Sequence, residues 1–315
     1  MSNSSQFSIG QPVTVKIQGD MVEASYVGWH DAYKMAIVEF QGQRFYRKVY
    51  TGGAAAKSVA VAEVKSSRFS VNERFGFIET LTDMVIAGDS KSVIISGSGG
   101  LGKTYTAIAR LKAAGLQDVT DSADCSDEGL DEDEINKGYV VVKGYMTPKA
   151  MYRFFWNNRK RIILFDDCDS VWLNDTSVSL LKGALDSYDV RRIGWHAEIR
   201  GNEDDDLPQS FEFEGRIIFI SNLSLTQLDQ AVLSRCLYVD VSMTPKEKIE
   251  RIRSISKDIR PDLTDDLKTE SLDLLSEHAD IIGDLNIRTF LKVLEIRARG
   301  ANNWKDLAEY VITAL

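Results

Sequence analysis

The stretch SVIISGSGGLGKTYTAIARL, residues 92–111, decides the fold of this chain. A short apolar run leads into a glycine-rich segment, and a run with helical character follows it. Within the stretch, GSGGLGKT (97–104) matches the phosphate-binding P-loop pattern GxxxxGK[ST] in full. A strand, a glycine-rich turn and a helix in this order predict an anion site, because backbone N–H groups and the positive end of the helix favour negative charge.

Each residue type in this loop has a physical role in holding a nucleotide phosphate. The glycines let the backbone approach phosphate oxygens closely. Lys103 is expected to neutralise the β- and γ-phosphates, and Thr104 to hold Mg²⁺. A purely structural glycine turn is the alternative, but such a turn needs no Lys-Thr pair. The loop residues expected to bind the nucleotide are Gly97, Ser98, Gly99, Gly100, Leu101, Gly102, Lys103, Thr104 and Tyr105.

Two further apolar runs end in polar side chains that suit the same site. RIILFDD ends in Asp166, a candidate metal ligand, and Asp167, a candidate for polarising the attacking water. Two adjacent acids at a strand end are unfavourable without a cation, which favours a metal–nucleotide site. RIIFISN ends in Asn222, which either orients the water and contacts the γ-phosphate or forms a turn. Asp169 is expected to cap a helix or to lie on the surface.

The pattern from residue 69 onwards predicts an α/β fold with a doubly wound parallel sheet. Compact apolar runs alternate with helical stretches, as they do in strands that are buried on both faces. Residues 246–315 then lose strand character and predict amphipathic helices. The predicted strands are SVIIS (92–96), YVVVKG (139–144), RIILF (161–165), RIIFIS (216–221) and LYVDV (237–241).

The N-terminal residues have a different pattern. Short β-rich runs over residues 8–50, separated by turn signals, predict a small antiparallel barrel of SH3-like or OB-like type. Residues 51–67 are small and polar and predict a linker. Basic and aromatic residues interleave before this linker, which suits either a nucleic-acid face or a strand with one wet side. They are Arg44, Phe45, Tyr46, Arg47, Lys48 and Tyr50.

Composition limits the class of protein. The 315 residues are 43% hydrophobic and 27% charged, which suits a soluble globular chain of two or three domains. The net charge is −9, so any nucleic-acid contact needs a local basic patch. The three cysteines lack CxxC spacing, and no apolar run approaches the roughly 18 residues of a membrane helix. We expect a cytoplasmic protein without a disulfide, a structural zinc, a signal peptide or a membrane span.

The motifs, in this order, resemble those of the AAA+ ATPase family over about residues 69–315. The resemblance implies ATP and Mg²⁺ as cofactors and a ring-shaped homo-oligomer, by analogy a hexamer. LDQAVLSRC (228–236) is similar to the family's arginine-finger segment, and its Ser-Arg-Cys triplet to that of clamp-loader subunits. Arg235 is therefore implied to reach a γ-phosphate bound by a neighbouring copy. The alternative is a surface arginine that caps a helix C-terminus.

The same resemblance extends to the C-terminal helices. GDLNIRTFLKVLEIR (283–297) is similar to the family's sensor 2 helix, which implies that Arg288 contacts the phosphates within its own chain. Arg297 and Arg299 are the alternatives. The chain departs from the family at Asp167, where most members carry glutamate, and the shorter side chain implies a changed water position and allows slower turnover. The compact build and small barrel also resemble those of virus-encoded, including phage-encoded, ATPases.

Two stretches bear on what the ATPase acts on. KGYM (143–146) lies where translocases of the family carry an aromatic pore loop, although a Tyr145 packed on its own domain fits as well. Residues 187–215 predict an inserted β-hairpin with RRIGWHAEI and SFEFEG as its arms. Three aspartates near its tip, residues 204–206, oppose DNA. The hairpin residues that suit phosphates and bases are Arg191, Arg192, Trp195, His196 and Arg200, of which the first two can instead act at a subunit boundary.

The sequence thus predicts a barrel (1–52), a linker (53–68), an α/β nucleotide-binding domain (69–243) and a helical lid (244–315). The acidic stretch 118–134 predicts a surface loop, with an interaction tail or a nucleic-acid mimic as alternatives. The function implied is a AAA+ ATPase with a nucleic-acid-linked task, such as a loader or helicase-like motor in DNA replication. The alternatives are a protein-remodelling or chaperone-type ATPase and a slow nucleotide-gated assembly factor. Its partners are further copies of the chain and either single- or double-stranded nucleic acid or a protein client.

Overall fold

The computed structural model describes residues 8, 10–17, 20–30, 35–40, 43–47, 67–122, 138–196, 207–282 and 284–313. The chain divides into two compact units, Met1–Val64 and Lys65–Leu315. Most of the predicted linker, most of the acidic stretch and the tip of the predicted hairpin with Arg200 lie outside the described residues.

The smaller unit contains a four-stranded antiparallel sheet in the order β1-β2-β3-β4. Its strands are β1 Pro12–Ile17, β2 Asp20–His30, β3 Met35–Phe40 and β4 Gln43–Arg47. The pairing register shifts between Tyr26 and Gly28, a bulge that increases the local twist. Buried apolar side chains recur at alternate positions, so one face forms a core: Val13, Val15, Ala24, Tyr26 and Val38. The antiparallel strands agree with the sequence, and their closure into a barrel stays a prediction.

The larger unit is built on a six-stranded parallel sheet in the order β12-β5-β11-β8-β7-β6. All five strands predicted for this sheet are present, each within one residue of its predicted bounds, and a short edge strand at the start of the acidic stretch joins them. The strands are β5 Ser92–Ser96, β6 Gln117–Asp118, β7 Gly138–Lys143, β8 Ile162–Asp166, β9 Arg192–Gly194, β10 Ser210–Glu212, β11 Arg216–Ser221 and β12 Leu237–Asp240. The pair β9–β10 lies outside this sheet.

Burial on both faces explains why the central strands have continuous apolar sequences. In β5, Ile94 belongs to the core on one face of the sheet, whereas Val93 and Ile95 belong to the core on the other. The same alternation occurs in β8, where Phe165 and Leu164 pack on opposite faces. Because successive side chains of a strand point to opposite faces, each strand contributes to both cores. The doubly wound architecture predicted from the sequence is therefore the observed one.

Helices cover both faces of the sheet and form a C-terminal bundle. The last four helices have a hydrophobic core of their own, centred on Ile252, Leu275, Phe290 and Val293. None of the helices in the described ranges is long and apolar enough to cross a bilayer. The helices are α1 Val71–Ala87, α2 Lys103–Ala113, α3 Pro148–Asn157, α4 Asp175–Ala184, α5 Gln230–Leu233, α6 Pro245–Ile255, α7 Asp265–Glu277, α8 Ile287–Ala298 and α9 Trp304–Thr313.

Strand register brings the motif-bearing strand ends to one edge of the sheet. Strand β11 lies between β5 and β8, with Ser221 opposite Ser96 and Ile220 opposite Asp166. Strand β7 lies on the other side of β8, and its last residue, Lys143, is also opposite Asp166. Since all these strands are parallel, the segments that follow them meet at the carboxyl edge, which is where ligands bind in such sheets.

The predicted hairpin before β11 is present in its described part. Strands β9 and β10 pair antiparallel, with Ile193 opposite Phe211. The expectation that Arg191 contacts phosphates, bases or a subunit boundary is wrong, because its side chain is buried and donates to the Ala184 carbonyl at 2.8 Å. Its guanidinium also lies 5.3 Å from the centre of the Phe213 ring, and burial lowers its pKa. Arg191 therefore anchors the hairpin to the core.

Candidate functional site

A cavity of about 440 Å³ lies at the carboxyl edge of the parallel sheet. Its wall combines residues of the P-loop, the ends of β7, β8 and β11, and the start of α8. Three of the predicted loop residues, Gly97, Ser98 and Leu101, do not line the cavity. Leu101 is fully buried, and the carbonyls of Gly97 and Ser98 accept hydrogen bonds from the Lys103 side chain. The lining residues are Gly99, Gly100, Gly102, Lys103, Thr104, Tyr105, Lys143, Gly144, Asp166, Asp167, Ile220, Asn222 and Arg288.

The first glycine of the P-loop is required by both conformation and space. Gly97 has a φ of 138°, a backbone region that side chains with a Cβ rarely enter. A Cβ at this position would also lie 2.8 Å from the carbonyl carbon of Val241 and 2.9 Å from the amide nitrogen of Ser242. The loop thus packs directly against the backbone that follows β12, which fixes its position.

We expect Gly97→Ala to destabilise the larger unit by about 2–3 kcal/mol, because backbone strain and a backbone clash add together. The melting temperature should fall by about 5–10 °C for a unit of this size. Gly115→Ala is the matched control, since Gly115 also has a positive φ of 81° but nothing within 4 Å of the added Cβ. Thermal unfolding followed by circular dichroism measures both variants. Equal losses in the two would show that packing against Val241 is unimportant.

Lys103 is buried and is held by neutral oxygens. Its Nζ donates to the carbonyls of Gly97 at 2.7 Å and Ser98 at 2.9 Å, and to Asn222 Oδ1 at 3.0 Å. Burial lowers the pKa of Lys103 to about 8, although Asp167 and Asp166 partly oppose that change. An ammonium that is desolvated and that contacts no acid directly within the described part of the chain is an attractive site for a phosphate group.

The two acids at the end of β8 have different partners. Asp166 is buried, and its Oδ1 accepts a hydrogen bond from Thr104 Oγ1 at 2.6 Å. Its Oδ2 lies 3.1 Å from the Lys143 Nζ. Asp167 has a φ of 52°, a strained backbone conformation of the kind that clusters at functional sites. Burial, followed by the charge of Asp166, raises the pKa of Asp167, which makes this carboxylate a better proton acceptor.

Asn222 connects the P-loop to the second acid. Its Oδ1 accepts from Lys103, and its Nδ2 donates to Asp167 Oδ1 at 2.8 Å. Ser221, the residue before it, donates its hydroxyl to Asp169 Oδ1 at 2.6 Å. The expectation that Asp169 caps a helix or lies on the surface is therefore wrong. Asp169 instead ties the segment after β8 to the end of β11, and burial raises its pKa.

The start of α8 touches the P-loop directly. Asn286 is 2% exposed and caps α8, with its Oδ1 accepting from the backbone N–H groups of Arg288 and Thr289. The Ile287 N–H donates to the Gly100 carbonyl at 3.0 Å, so the helix is bonded to the loop. This contact places Arg288 in the cavity wall, where its charge partly opposes the rise that burial and Asp166 cause in the pKa of Asp167.

The two alternatives to Arg288 do not line the cavity. Arg297 donates its Nε to Glu270 Oε2 at 2.6 Å and lies over the Trp304 ring. Arg299 follows the last residue of α8, at the end of the helix that faces away from its N-terminal contact with the loop. The arrangement therefore favours Arg288 over both as the candidate phosphate contact.

The oxygen donors present suit a magnesium ion that is bound together with phosphates. Thr104 Oγ1 and Asp166 Oδ1 are already 2.6 Å apart. Within the described ranges no group of three or more acidic, histidine or cysteine side chains could hold a metal ion by itself. Mg²⁺ commonly takes one or two protein oxygens and completes its shell with phosphate and water oxygens, which this donor set permits.

Arg235 lies outside the cavity of its own chain. Its Nη1 donates to the Ala231 carbonyl of α5 at 2.5 Å, and its buried Nε has no partner among the described residues. Within one chain it therefore caps its own helix, as in the alternative interpretation. Contact with a nucleotide held by another copy stays a prediction.

Comparison with known proteins leaves the activity open. No family model matches the chain. An uncharacterized 36.7 kDa protein from the nrdC-mobD intergenic region of Enterobacteria phage T4 is 28% identical over 292 residues, covering 86% of this chain and 84% of the relative. The AAA domain of FIGL-1, solved in complex with ADP, is 12% identical with a TM-score of 0.38, covering 82% of this chain and 86% of that chain. A TM-score this low does not by itself identify a shared fold.

Proposed function

We propose that this chain is a Mg²⁺-dependent ATPase of the AAA+ type. The observation that carries the proposal is the convergence of Lys103, Thr104, Asp166, Asp167 and Asn222 on one cavity at the carboxyl edge of the sheet. The set supplies a cation for the phosphates, two oxygen ligands for a metal, and a carboxylate beside which a water molecule can be activated. These are the groups that phosphoryl transfer to water requires.

Each residue has a distinct role in the proposed reaction. Lys103 binds the β- and γ-phosphates, and Thr104 with Asp166 holds Mg²⁺, which neutralises charge on the phosphoryl group when bound. Asp167 accepts a proton from the attacking water. Asn222 keeps this carboxylate in place through the 2.8 Å hydrogen bond between its Nδ2 and Asp167 Oδ1. Arg288 contacts the phosphates from the lid side.

Phosphate release from ATP by the full chain tests this assignment. We expect release in the presence of Mg²⁺ and its loss when EDTA removes the metal, because Thr104 and Asp166 otherwise leave the phosphate charge unneutralised. Tight, Mg²⁺-dependent ATP binding with almost no release would favour the slow assembly factor instead. An absence of ATP binding under both conditions would contradict the assignment.

We further propose that the active assembly is a ring of copies, with Arg235 acting on a neighbour's nucleotide. Strand β12 is an edge of the sheet and begins two residues after Arg235. Two of its apolar side chains are exposed, Leu237 by 37% and Tyr238 by 57%. A second copy that packs on this edge would cover it. Arg235 of the first copy would then lie at the phosphate site of the second copy. The hexameric count rests on the family resemblance alone.

We favour a nucleic acid over a protein as the molecule on which the ATPase acts. The hairpin presents Arg192 and His196 as exposed side chains, and Trp195 is partly exposed between them. A cation beside an aromatic ring suits single-stranded nucleic acid. Protein remodelling is the second candidate, favoured by Tyr145, which is 67% exposed on the turn that begins at Gly144 beside the cavity.

We expect single-stranded DNA to stimulate ATP hydrolysis, with a stimulation that weakens steeply as salt rises. Arg192→Gln should reduce the slope of log affinity against log salt by about one, since it removes one phosphate contact. Lys112→Gln, which removes an exposed lysine of α2, is the matched control and should leave that slope unchanged. A rate of hydrolysis that does not change with DNA would count against nucleic acid as the client. In that case, stimulation of hydrolysis by an unfolded protein, and its loss in Tyr145→Ala, would support protein remodelling.

A further inference from the structure

Lys143 makes an ion pair that the motifs do not account for. It is the last residue of β7, and strand register places it directly opposite Asp166. Its Nζ lies 3.1 Å from Asp166 Oδ2, whereas Asp166 Oδ1 accepts from the Thr104 hydroxyl. Both carboxylate oxygens of the candidate metal ligand are therefore engaged, one by the other candidate ligand and one by an ammonium.

The two lysines of the cavity differ in what they neutralise. Lys103 is bonded to carbonyl and amide oxygens, whereas Lys143 is bonded to the Asp166 carboxylate. Asp166 is buried and Asp167, next to it, is exposed, so two adjacent negative charges lie at this strand end and favour a nearby cation. A divalent ion at Thr104 and Asp166 would meet that need but would repel an ammonium that remained on the same carboxylate.

We propose, on the basis of the ATPase activity proposed above, that Lys143 is a resident counter-ion of the metal site. It neutralises Asp166 in the nucleotide-free chain and releases that carboxylate when a metal–nucleotide complex binds. Release is easy because the Lys143 side chain is already 66% exposed, whereas the side chain of Asp166 is only 8% exposed.

Release of Lys143 from Asp166 also affects the turn that follows Lys143 in the chain. Gly144 comes next, with a φ of 83° that allows a sharp change of direction. The Met146 N–H donates to Ser170 Oγ at 3.1 Å, so the turn is tied to the segment after Asp167. The ion pair ties the same turn to Asp166. Binding of the metal–nucleotide complex therefore loosens the turn that presents Tyr145.

The test is equilibrium binding of ATP with a fluorescent ribose label to the full chain, in EDTA and across a Mg²⁺ titration. We expect Lys143→Gln to raise the ratio of affinity with Mg²⁺ to affinity in EDTA by about fivefold, because the metal no longer competes with an ammonium near the surface. Lys143→Arg keeps the charge and should retain the wild-type ratio. Lys112→Gln makes the same charge change on α2 and should also leave the ratio unchanged.

The possible results separate this inference from the activity on which it rests. If Lys143→Gln weakens binding equally with and without Mg²⁺, Lys143 is a phosphate ligand and the inference is overturned. An unchanged ratio with unchanged affinity overturns it too. If the wild-type chain binds the labelled ATP under neither condition, the proposed ATPase itself fails. Hydrogen exchange at the Met146 amide gives a second readout, which should rise with Mg²⁺ and ATP in the wild type and be high throughout in Lys143→Gln.

Discussion

Lys103→Ala is expected to lower the rate of ATP hydrolysis by about 10²–10³-fold, as removal of a group that stabilises developing charge generally does. The reason lies in its bonding, since among the described residues its Nζ donates to the Gly97 and Ser98 carbonyls and the Asn222 amide oxygen, which are all neutral. Because these acceptors are neutral, the positive charge of Lys103 can pair with a phosphate. Without it, the loop still offers backbone N–H groups but has lost its own cation.

Phosphate release and thermal unfolding should be measured on the same preparation. Because burial already lowers the pKa of Lys103 to about 8, the folded chain gains little from this charge, and the melting temperature should fall only slightly. Lys112→Ala is the matched control, as an exposed lysine of the same helix. An Lys103→Ala chain that is folded and hydrolyses ATP within a few-fold of the wild type would contradict the proposed site.

Local sequence patterns were sufficient to predict the P-loop and the strands of the parallel sheet. Strands buried on both faces have continuous apolar segments, so the IIFI segment of RIIFIS indicates such a strand without knowledge of its neighbours. The glycine pattern follows from a loop that packs on backbone, as Gly97 does on Val241. Asp166, Asp167 and Asn222 were identifiable because polar residues end otherwise apolar runs, and parallel strands end at one edge.

Contacts that depend on strand order and side-chain direction could not be predicted from local sequence patterns. The sequence indicates Lys143 only as part of a possible pore loop, because its position opposite Asp166 follows from the pairing of β7 with β8. Asn286 was missed, although an asparagine before a helix is a recognisable N-cap signal. Arg191 illustrates the opposite error, since a basic residue on a predicted hairpin suggests a ligand contact until the Ala184 carbonyl is found beside it.

Arg235→Ala should be nearly inactive by itself, because an arginine supplied across a boundary is worth roughly 10³–10⁵ in rate. Mixed in equal amounts with Lys103→Ala, it should recover about a quarter of the wild-type rate, since in a head-to-tail ring about one boundary in four joins an intact P-loop to an intact Arg235. Phosphate release from mixtures at several ratios measures this, and size-exclusion chromatography confirms that both variants assemble.

The mixture distinguishes a role across the boundary from damage to the phosphate site of the same chain. The Arg235 guanidinium donates to the Ala231 carbonyl, so Arg235→Ala could lose activity simply because the end of α5 frays. If the substitution disables the phosphate site of its own chain, a partner whose P-loop is dead cannot rescue it, whereas a chain that fails only to supply its neighbour's site can be rescued. Arg235→Lys restores a cation without the planar fork and should recover only part of the rate. Full activity of Arg235→Ala that persists on dilution would place hydrolysis within a single chain.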